Sequence, residues 1–256
     1  MRGKQLIKLF VSVAILVYLF IFKVDLAAFV KALKRTHPGW AALALFLHTF
    51  GFLISGIRWK EIARVHSPQQ NLWFFIQSYL IAAFFALFLP SRFGGDVVRT
   101  MDISHHTGFS RGISTILYER AVGLFALVAI GVAAAFLSPH KQVKNFALAS
   151  GFILTAVFVA LLILFLKIEF FFSLVPSNLR GKLLSFKEAL EEMKKQEGLF
   201  TKTLILSFLL QVNVIIHYWA IGKALDLPIP FFHYFYIIPI AVGAPSSKKN
   251  NSIAYC

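Results

Sequence analysis

The sequence predicts an all-α, polytopic transmembrane helical bundle. Of 256 residues, 58% are hydrophobic and 14% charged, and mean hydropathy is +0.74. A soluble domain carries roughly 25% charged residues, and an unusual core does not explain so large a deficit. The charges are also segregated. Every Asp and Glu lies outside the long apolar runs, and so does every Lys and Arg except Lys8, which sits near enough to the end of its run to snorkel.

A helix needs about 20 apolar residues to cross the hydrocarbon. Six runs come close: Leu6–Phe22, Trp40–Ile57, Leu72–Leu89, Ala121–Leu137, Phe146–Leu166 and Thr203–Ile221. A seventh begins at Pro230 and fades near Ala244. Residues 1–244 thus read as one membrane domain of six to seven hydrophobic segments. Trp40, Trp59, Trp73 and Trp219 fall at or near span ends, as interfacial anchors should. The first run follows Met1-Arg2-Gly3-Lys4, as in a signal peptide. No small-x-small cleavage site follows Phe22, so it reads as an uncleaved span.

Basic residues outnumber acidic ones 26 to 11. On short loops between apolar spans, this excess fits attraction to anionic headgroups and orientation of the chain, and nucleic acid is not expected as a partner. The single cysteine, Cys256, rules out an internal disulfide and any Cys-rich metal site. If all seven segments cross, the basic residues gather opposite the N-terminus. If Leu72–Leu89 is instead one limb of a re-entrant hairpin broken at Pro90–Gly95, the N-terminal side holds 17 Lys/Arg against 7 opposite, the two tail lysines set aside. The positive-inside rule then places the N-terminus in the cytoplasm of a cell with this protein in its plasma membrane. Irregular backbone at membrane depth is tolerated where protein or a water-filled cavity shields it. The re-entrant arrangement is the one expected.

Residues 177–197 form a polar connector with Leu183, Phe186, Leu190 and Met193 at helical spacing, and with Lys187, Glu191 and Lys195 four residues apart on another face. A surface-lying amphipathic helix is expected there, with partner docking as the alternative.

The stretch richest in chemistry is Leu89-Pro90-Ser91-Arg92-Phe93-Gly94-Gly95-Asp96-Val97-Val98-Arg99, closed by Tyr118-Glu119-Arg120 at the mouth of the next span. Proline ends a helix, and the glycine pair permits a sharp turn with positive φ. Asp96 stands where it can cap the helix that follows. A helix N-terminus suits an anionic group such as a lipid phosphate. Arg92, Arg99 and Arg120 supply full charges beside it, and Asp96 and Glu119 keep those arginines paired while the site is empty. The candidate substrate-binding set is therefore Arg92, Gly94, Gly95, Asp96, Arg99, Glu119 and Arg120. The alternative is a plain turn with charges resting at the interface.

These residues resemble the flippase-like integral membrane family that includes the transmembrane region of lysylphosphatidylglycerol synthases. The resemblance rests on Pro90-x-x-x-Gly94-Gly95-Asp96-x-x-Arg99, the Gly108-Phe109-Ser110 turn, Glu119-Arg120 entering an apolar span, and Arg58-Trp59 after the second span. It implies a helical membrane domain that binds or translocates lipid-linked or aminoacylated amphiphiles. In the synthases that domain is fused to a soluble catalytic domain, and this sequence contains none. An enzyme is therefore not expected from this chain, whereas a separate lipid-modifying or glycosyltransferase partner is. Family members continue into a second Pro/Gly-rich motif, whereas here residues 245–256 switch to a polar tail that reads as a truncated or frame-shifted frame.

Polar residues within spans are further candidates, because hydrocarbon penalises them. Asn213 and His217 lie four apart on the sixth span, and His48 and Ser55 share a face of the second. Interhelical hydrogen bonding is the alternative role. His105-His106 has adjacent side chains on different helix faces and lacks the spacing of a metal site. No metal, cofactor or catalytic residue is expected. The functional expectation is a flippase-like protein for an anionic or lipid-linked amphiphile. The alternative is an integral-membrane enzyme, or a scaffold subunit, of phospholipid or polyprenyl-glycan metabolism.

Overall fold

The computed structural model describes residues 26–88, 94–137 and 177–243, and every regular element among them is helical. In order these are α1 (Leu26–Arg35), α2 (Pro38–Ala63), α3 (Leu72–Phe88), α4 (Gly94–Thr107), α5 (Phe109–Leu137), α6 (Ser177–Lys195), α7 (Leu199–Ala224), a 3₁₀ turn at Phe231–His233, and α8 (Tyr234–Gly243). The expected spans at 6–22 and 146–166, the residues Pro90 and Arg92, and the tail 245–256 lie outside the described residues.

Local chemistry sets the helix ends. Pro38 occupies the first turn of α2, where its missing N–H costs nothing. The Asn71 side-chain oxygen accepts the Phe74 N–H at 2.9 Å and caps the start of α3. Gly108 (φ 83°) and Gly198 (φ 71°) take the left-handed conformation that separates α4 from α5 and α6 from α7.

Three helices, Pro38–Ala63, Phe109–Ala134 and Leu199–Ala224, are long and apolar enough to cross a bilayer, each 26 residues in length. At 1.5 Å per residue such a helix is about 39 Å long, more than the roughly 30 Å of hydrocarbon. All three outrun the apolar segments read from sequence. The largest difference is α5, which starts twelve residues before Ala121 because Ser114, Thr115 and Glu119 are buried against neighbouring helices.

α2 runs antiparallel to α7. Arg58 meets Ser207 towards one end, Asn213 meets Leu47 in the middle, and the His37 N–H reaches the Ala224 carbonyl at the other. α5 is also antiparallel to α2, with Trp59 beside Thr115 and Arg58 beside Glu119. The bundle therefore has a near end, formed by residues 64–71, 107–111 and 196–198, and a far end at residues 36–37 and 225–230.

α3 and α4 form an antiparallel pair. Phe74 packs on His106, Ser78 donates to Asp102 at 2.6 Å, and Gly95 lies against Ala82. A Cβ on Gly95 would stand 3.1 Å from the Ala82 carbonyl oxygen, so glycine lets the two backbones close up. The pair leaves the near end at Leu72 and returns to it at Thr107.

Trp59, Ala63, Phe75, Ile103 and Ile116 form one buried cluster, where α2, α3, α4 and α5 meet. Ile62, Met193 and Leu199 form a second, into which α6 sends Met193, with Leu190 packed beside it. Lys187 and Glu191 pair at 3.8 Å, as the spacing predicts. The connector is nevertheless not simply laid on a surface. Ala189 and Met193 are buried, and Glu192 reaches Arg111 and His66, each at 2.9 Å. Large apolar side chains such as Leu45, Phe46, Phe84, Phe125, Ile205 and Leu209 face outwards, as lipid-contacting surface should.

Candidate functional site

Glu119 is the centre of a buried charge network. It sits ten residues into α5, where the helix passes between α2 and the α3–α4 pair, and is 2% exposed. Arg58 of α2 donates through one terminal nitrogen to a Glu119 carboxylate oxygen at 2.6 Å, and through the other to Ser207 of α7 at 3.0 Å. Tyr79 of α3 donates its hydroxyl to the same carboxylate oxygen as Arg58. Arg99 of α4 donates to the second oxygen. Three helices thus place donors on a carboxylate carried by a fourth, and Ser207 ties in a fifth. With two arginines bound, that carboxylate is ionised, and breaking the arrangement would strand charges out of water.

Aromatic groups fix the arginine. The Arg99 guanidinium lies 4.2 Å from the centre of the Trp59 ring and 3.8 Å from that of Tyr79. A planar guanidinium stacks on rings while its edge donates hydrogen bonds, which an ammonium cannot do. Trp59 is held in turn by its indole N–H on the Thr115 hydroxyl at 3.2 Å. Gly123 supplies space, since a Cβ there would lie 3.3 Å from an Arg58 terminal nitrogen.

A second layer lies nearer the surface. Asp96 accepts from Arg120 Nε at 2.8 Å and stands 3.6 Å from Arg99. The Asp96 side chain is 13% exposed and that of Arg120 52%, so the pair is the outward edge of the network. Among the described residues three arginines face two carboxylates, an excess of one positive charge. The Nε groups of both Arg58 and Arg99 are buried without a hydrogen-bond acceptor among the described residues.

The structure therefore brings Gly94, Gly95, Asp96, Arg99, Glu119 and Arg120 together, while Arg92 lies outside the described residues. Two local expectations are corrected. Gly94 and Gly95 are not a positive-φ turn, because both are helical residues that open α4. The value of Gly95 is the close approach to α3. Asp96 is not the cap of α4 but lies within its first turn, with its carboxylate turned to the arginines.

The sequence reading missed Arg58, Tyr79, Trp59 and Ser207 as parts of the site. Arg58 carried a signal. An arginine directly after an apolar run, in a helix too long to stop there, needs a carboxylate at matching depth. Tyr79 and Ser207 carried none, since isolated hydroxyl residues are common in membrane helices.

Asn213 and His217 are not part of this network. Asn213 donates to the Leu47 carbonyl at 3.0 Å, and His217 Nδ1 lies 2.9 Å from the Ala44 carbonyl. Both join α7 to α2 beyond the charged cluster. His106 packs its ring on Phe74, and no group of three or more His, Cys, Asp or Glu converges among the described residues.

The family model for the lysylphosphatidylglycerol synthase TM region matches residues 5–247. The chain belongs to that family. It is an integral membrane protein related to lipid metabolism. Neither the curated proteins nor the solved structures contain a match to it. For a lysylphosphatidylglycerol synthase TM region, the Glu119 network is the principal polar feature among its described apolar helices. Its charged residues and Trp59 coincide with the Gly-Gly-Asp-x-x-Arg, Glu-Arg and Arg-Trp signatures of the sequence.

Proposed function

We propose that this membrane protein binds an anionic or lipid-linked amphiphile at the outward edge of the Glu119 network and moves its headgroup across the bilayer as a flippase-like transporter. One observation carries the reading. Among the described residues the network holds one more arginine than carboxylate once Arg120 at its edge is counted, and Arg120 is half-exposed. An incoming phosphate would compete with Asp96 for Arg120 and, deeper, for Arg99, since arginine forks suit phosphate oxygens. Acyl chains would stay in lipid against the exposed Phe84, Phe85, Val97 and Met101 of the α3–α4 pair.

The same pair carries Tyr79, Asp96 and Arg99, whereas Arg58, Glu119 and Ser207 ride on the three long helices. A shift of α3–α4 against those helices would expose the site alternately. We read α3–α4 as a re-entrant hairpin. The near end then faces the cytoplasm of the plasma membrane, because Lys60, Arg64, Arg111, Lys194, Lys195 and Lys202 gather there. A separate lipid-modifying or glycosyltransferase enzyme would supply the substrate.

The test is reconstitution into vesicles containing headgroup-labelled phosphatidylglycerol. The expected result is transbilayer movement above that of protein-free vesicles with no new covalent product, lost in Arg99→Ala and in Glu119→Ala. A changed lipid mass would support an enzyme instead, and unimpaired movement in both variants would remove the site. Topology is tested by Gln69→Cys and His105→Cys, both exposed. Labelling from the same side of the membrane is expected, and labelling from opposite sides excludes the hairpin.

A further inference from the structure

We infer that His48 and His217 together form a proton-binding site part-way along the α2–α7 interface. Their rings lie 5.3 Å apart, centre to centre, tilted by 36°. A ring nitrogen sits about 1.1 Å from its centre, so modest ring rotation brings one nitrogen of each within roughly 3 Å, the length of a hydrogen bond. One proton held between two imidazoles is then shared, and a second is opposed by like-charge repulsion.

The His217 tautomer is set by its neighbour. A backbone carbonyl only accepts, so the 2.9 Å contact with Ala44 puts the hydrogen on Nδ1 and leaves Nε2 as the basic position. His48 is exposed on the outer face of α2 and packs edge-on against Phe52.

Among the described residues, charged side chains are absent from the helix stretches that flank the pair. No Asp, Glu, Lys or Arg occurs in α2 between Pro38 and Ile57, in α7 between Thr203 and Gly222, or in α5 between Ala121 and Leu137. Other titratable groups on the packed elements are Tyr218, whose ring meets that of His217 at 5.3 Å, Tyr79 of α3, Tyr118 of α5, Tyr234 and Tyr236 of α8, and His233 in the turn before α8, and the charged residues of α2, α5 and α7 lie outside the stretches just named. An isolated ionisable pair within membrane-spanning helices marks an ion or proton site in preference to plain packing.

Position gives the site a consequence. His48 lies ten residues before Arg58 on α2 and His217 ten residues after Ser207 on α7, about 15 Å along each helix. The helices that share the proton are those joined by the Arg58–Ser207 hydrogen bond at the charged network. Protonation would alter the α2–α7 contact that positions Arg58. A role as the coupling ion rests on the transport reading above, whereas proton binding itself does not.

The experiment is ¹⁵N-histidine NMR of the full chain in nanodiscs of phosphatidylglycerol and phosphatidylethanolamine, with His48→Gln, His217→Gln and Asn213→Ala. The expected result is uptake of a single proton by the pair over about pH 5 to 8, altered in each histidine variant and retained in Asn213→Ala. If neither ring changes protonation across that range, or the wild-type transition survives unchanged in both histidine variants, the site does not exist. In vesicles under an imposed pH gradient, the wild-type rate of lipid movement should depend on the sign of the gradient, and that of His48→Gln should not. A rate indifferent to the gradient overturns the coupling. Absence of any wild-type movement overturns the transport reading and leaves the NMR result to decide the proton site.

Discussion

The α2–α7 interface handles polar groups in two ways along its length. At the Arg58 level, full charges meet. Arg58 and Arg99 share the Glu119 carboxylate, and four helices converge on it. Ten residues along, neutral side chains use spare acceptor capacity on a neighbouring backbone, as Asn213 does on Leu47 and His217 on Ala44. The two arrangements differ in what a broken bond leaves behind. Removing a neutral donor leaves a carbonyl still bonded within its own helix, whereas removing one ion leaves its partner charged and out of water. The first region is therefore intolerant of change, and the second is adaptable.

The largest expected effect is at the centre of the charged region. Glu119→Ala leaves Arg58 and Arg99 facing each other without an anion, and should destabilise the fold by about 3–5 kcal/mol. Thermal unfolding in detergent checks this, and a variant as stable as wild type would erase the distinction between the two regions. Arg99→Lys retains charge but loses the planar stack between Trp59 and Tyr79, and anionic-lipid binding should fall several-fold in a vesicle flotation assay. Gly56→Val follows, because a Cβ there already lies 2.8 Å from Ile76 Cγ1. Overpacking of the α2–α3 contact should cost about 1–3 kcal/mol.

The neutral region should respond less. Asn213→Ala is expected to cost about 0.6 kcal/mol, the average for an interhelical hydrogen bond in a membrane protein. A loss as large as that of Glu119→Ala would show that the seam is no more adaptable than the charged cluster.

A pH effect is expected outside the spans, at the α6 clasp. Burial, followed by the positive charge of Arg111, holds the His66 imidazole below its ordinary range. Burial opposes ionisation of Glu192, but hydrogen bonding and charge from Arg111, then His66, outweigh it and hold the carboxyl below its ordinary range. A lowered histidine loses native-state stability as pH falls below its unfolded value of about 6.5. A lowered carboxylate loses it further down, below about 4.3. Both changes run in the same direction. The hydrogen-exchange protection of residues 186–199, taken against the intrinsic exchange rate at each pH, should fall as pH drops from 7.5 towards 5, and protection that rises over that range would refute the clasp.

Much of the plan was legible without coordinates. Apolar runs located α2, α3 and α7, and spacing located the connector. The Pro/Gly-rich break separated α3 from α4, and charges flanking it marked Asp96, Arg99, Glu119 and Arg120. Helix ends were less legible. Hydropathy sees where polar residues begin, yet Ser114, Thr115 and Glu119 continue a helix because other helices bury them.

What the sequence determined by itself was the solvent each segment prefers. Free energies of transfer depend on composition, so an apolar run of sufficient length specifies a membrane helix wherever it stands in the chain. What only the tertiary structure decided was which polar atoms meet. Arg58, Tyr79, Arg99 and Glu119 are separated by 20 to 61 positions from their partners, and a hydrogen bond is made over about 3 Å or not at all. Helix packing brings them within that range. Close approach at Gly56 and Gly95, more than any local preference, turns scattered charges into one site.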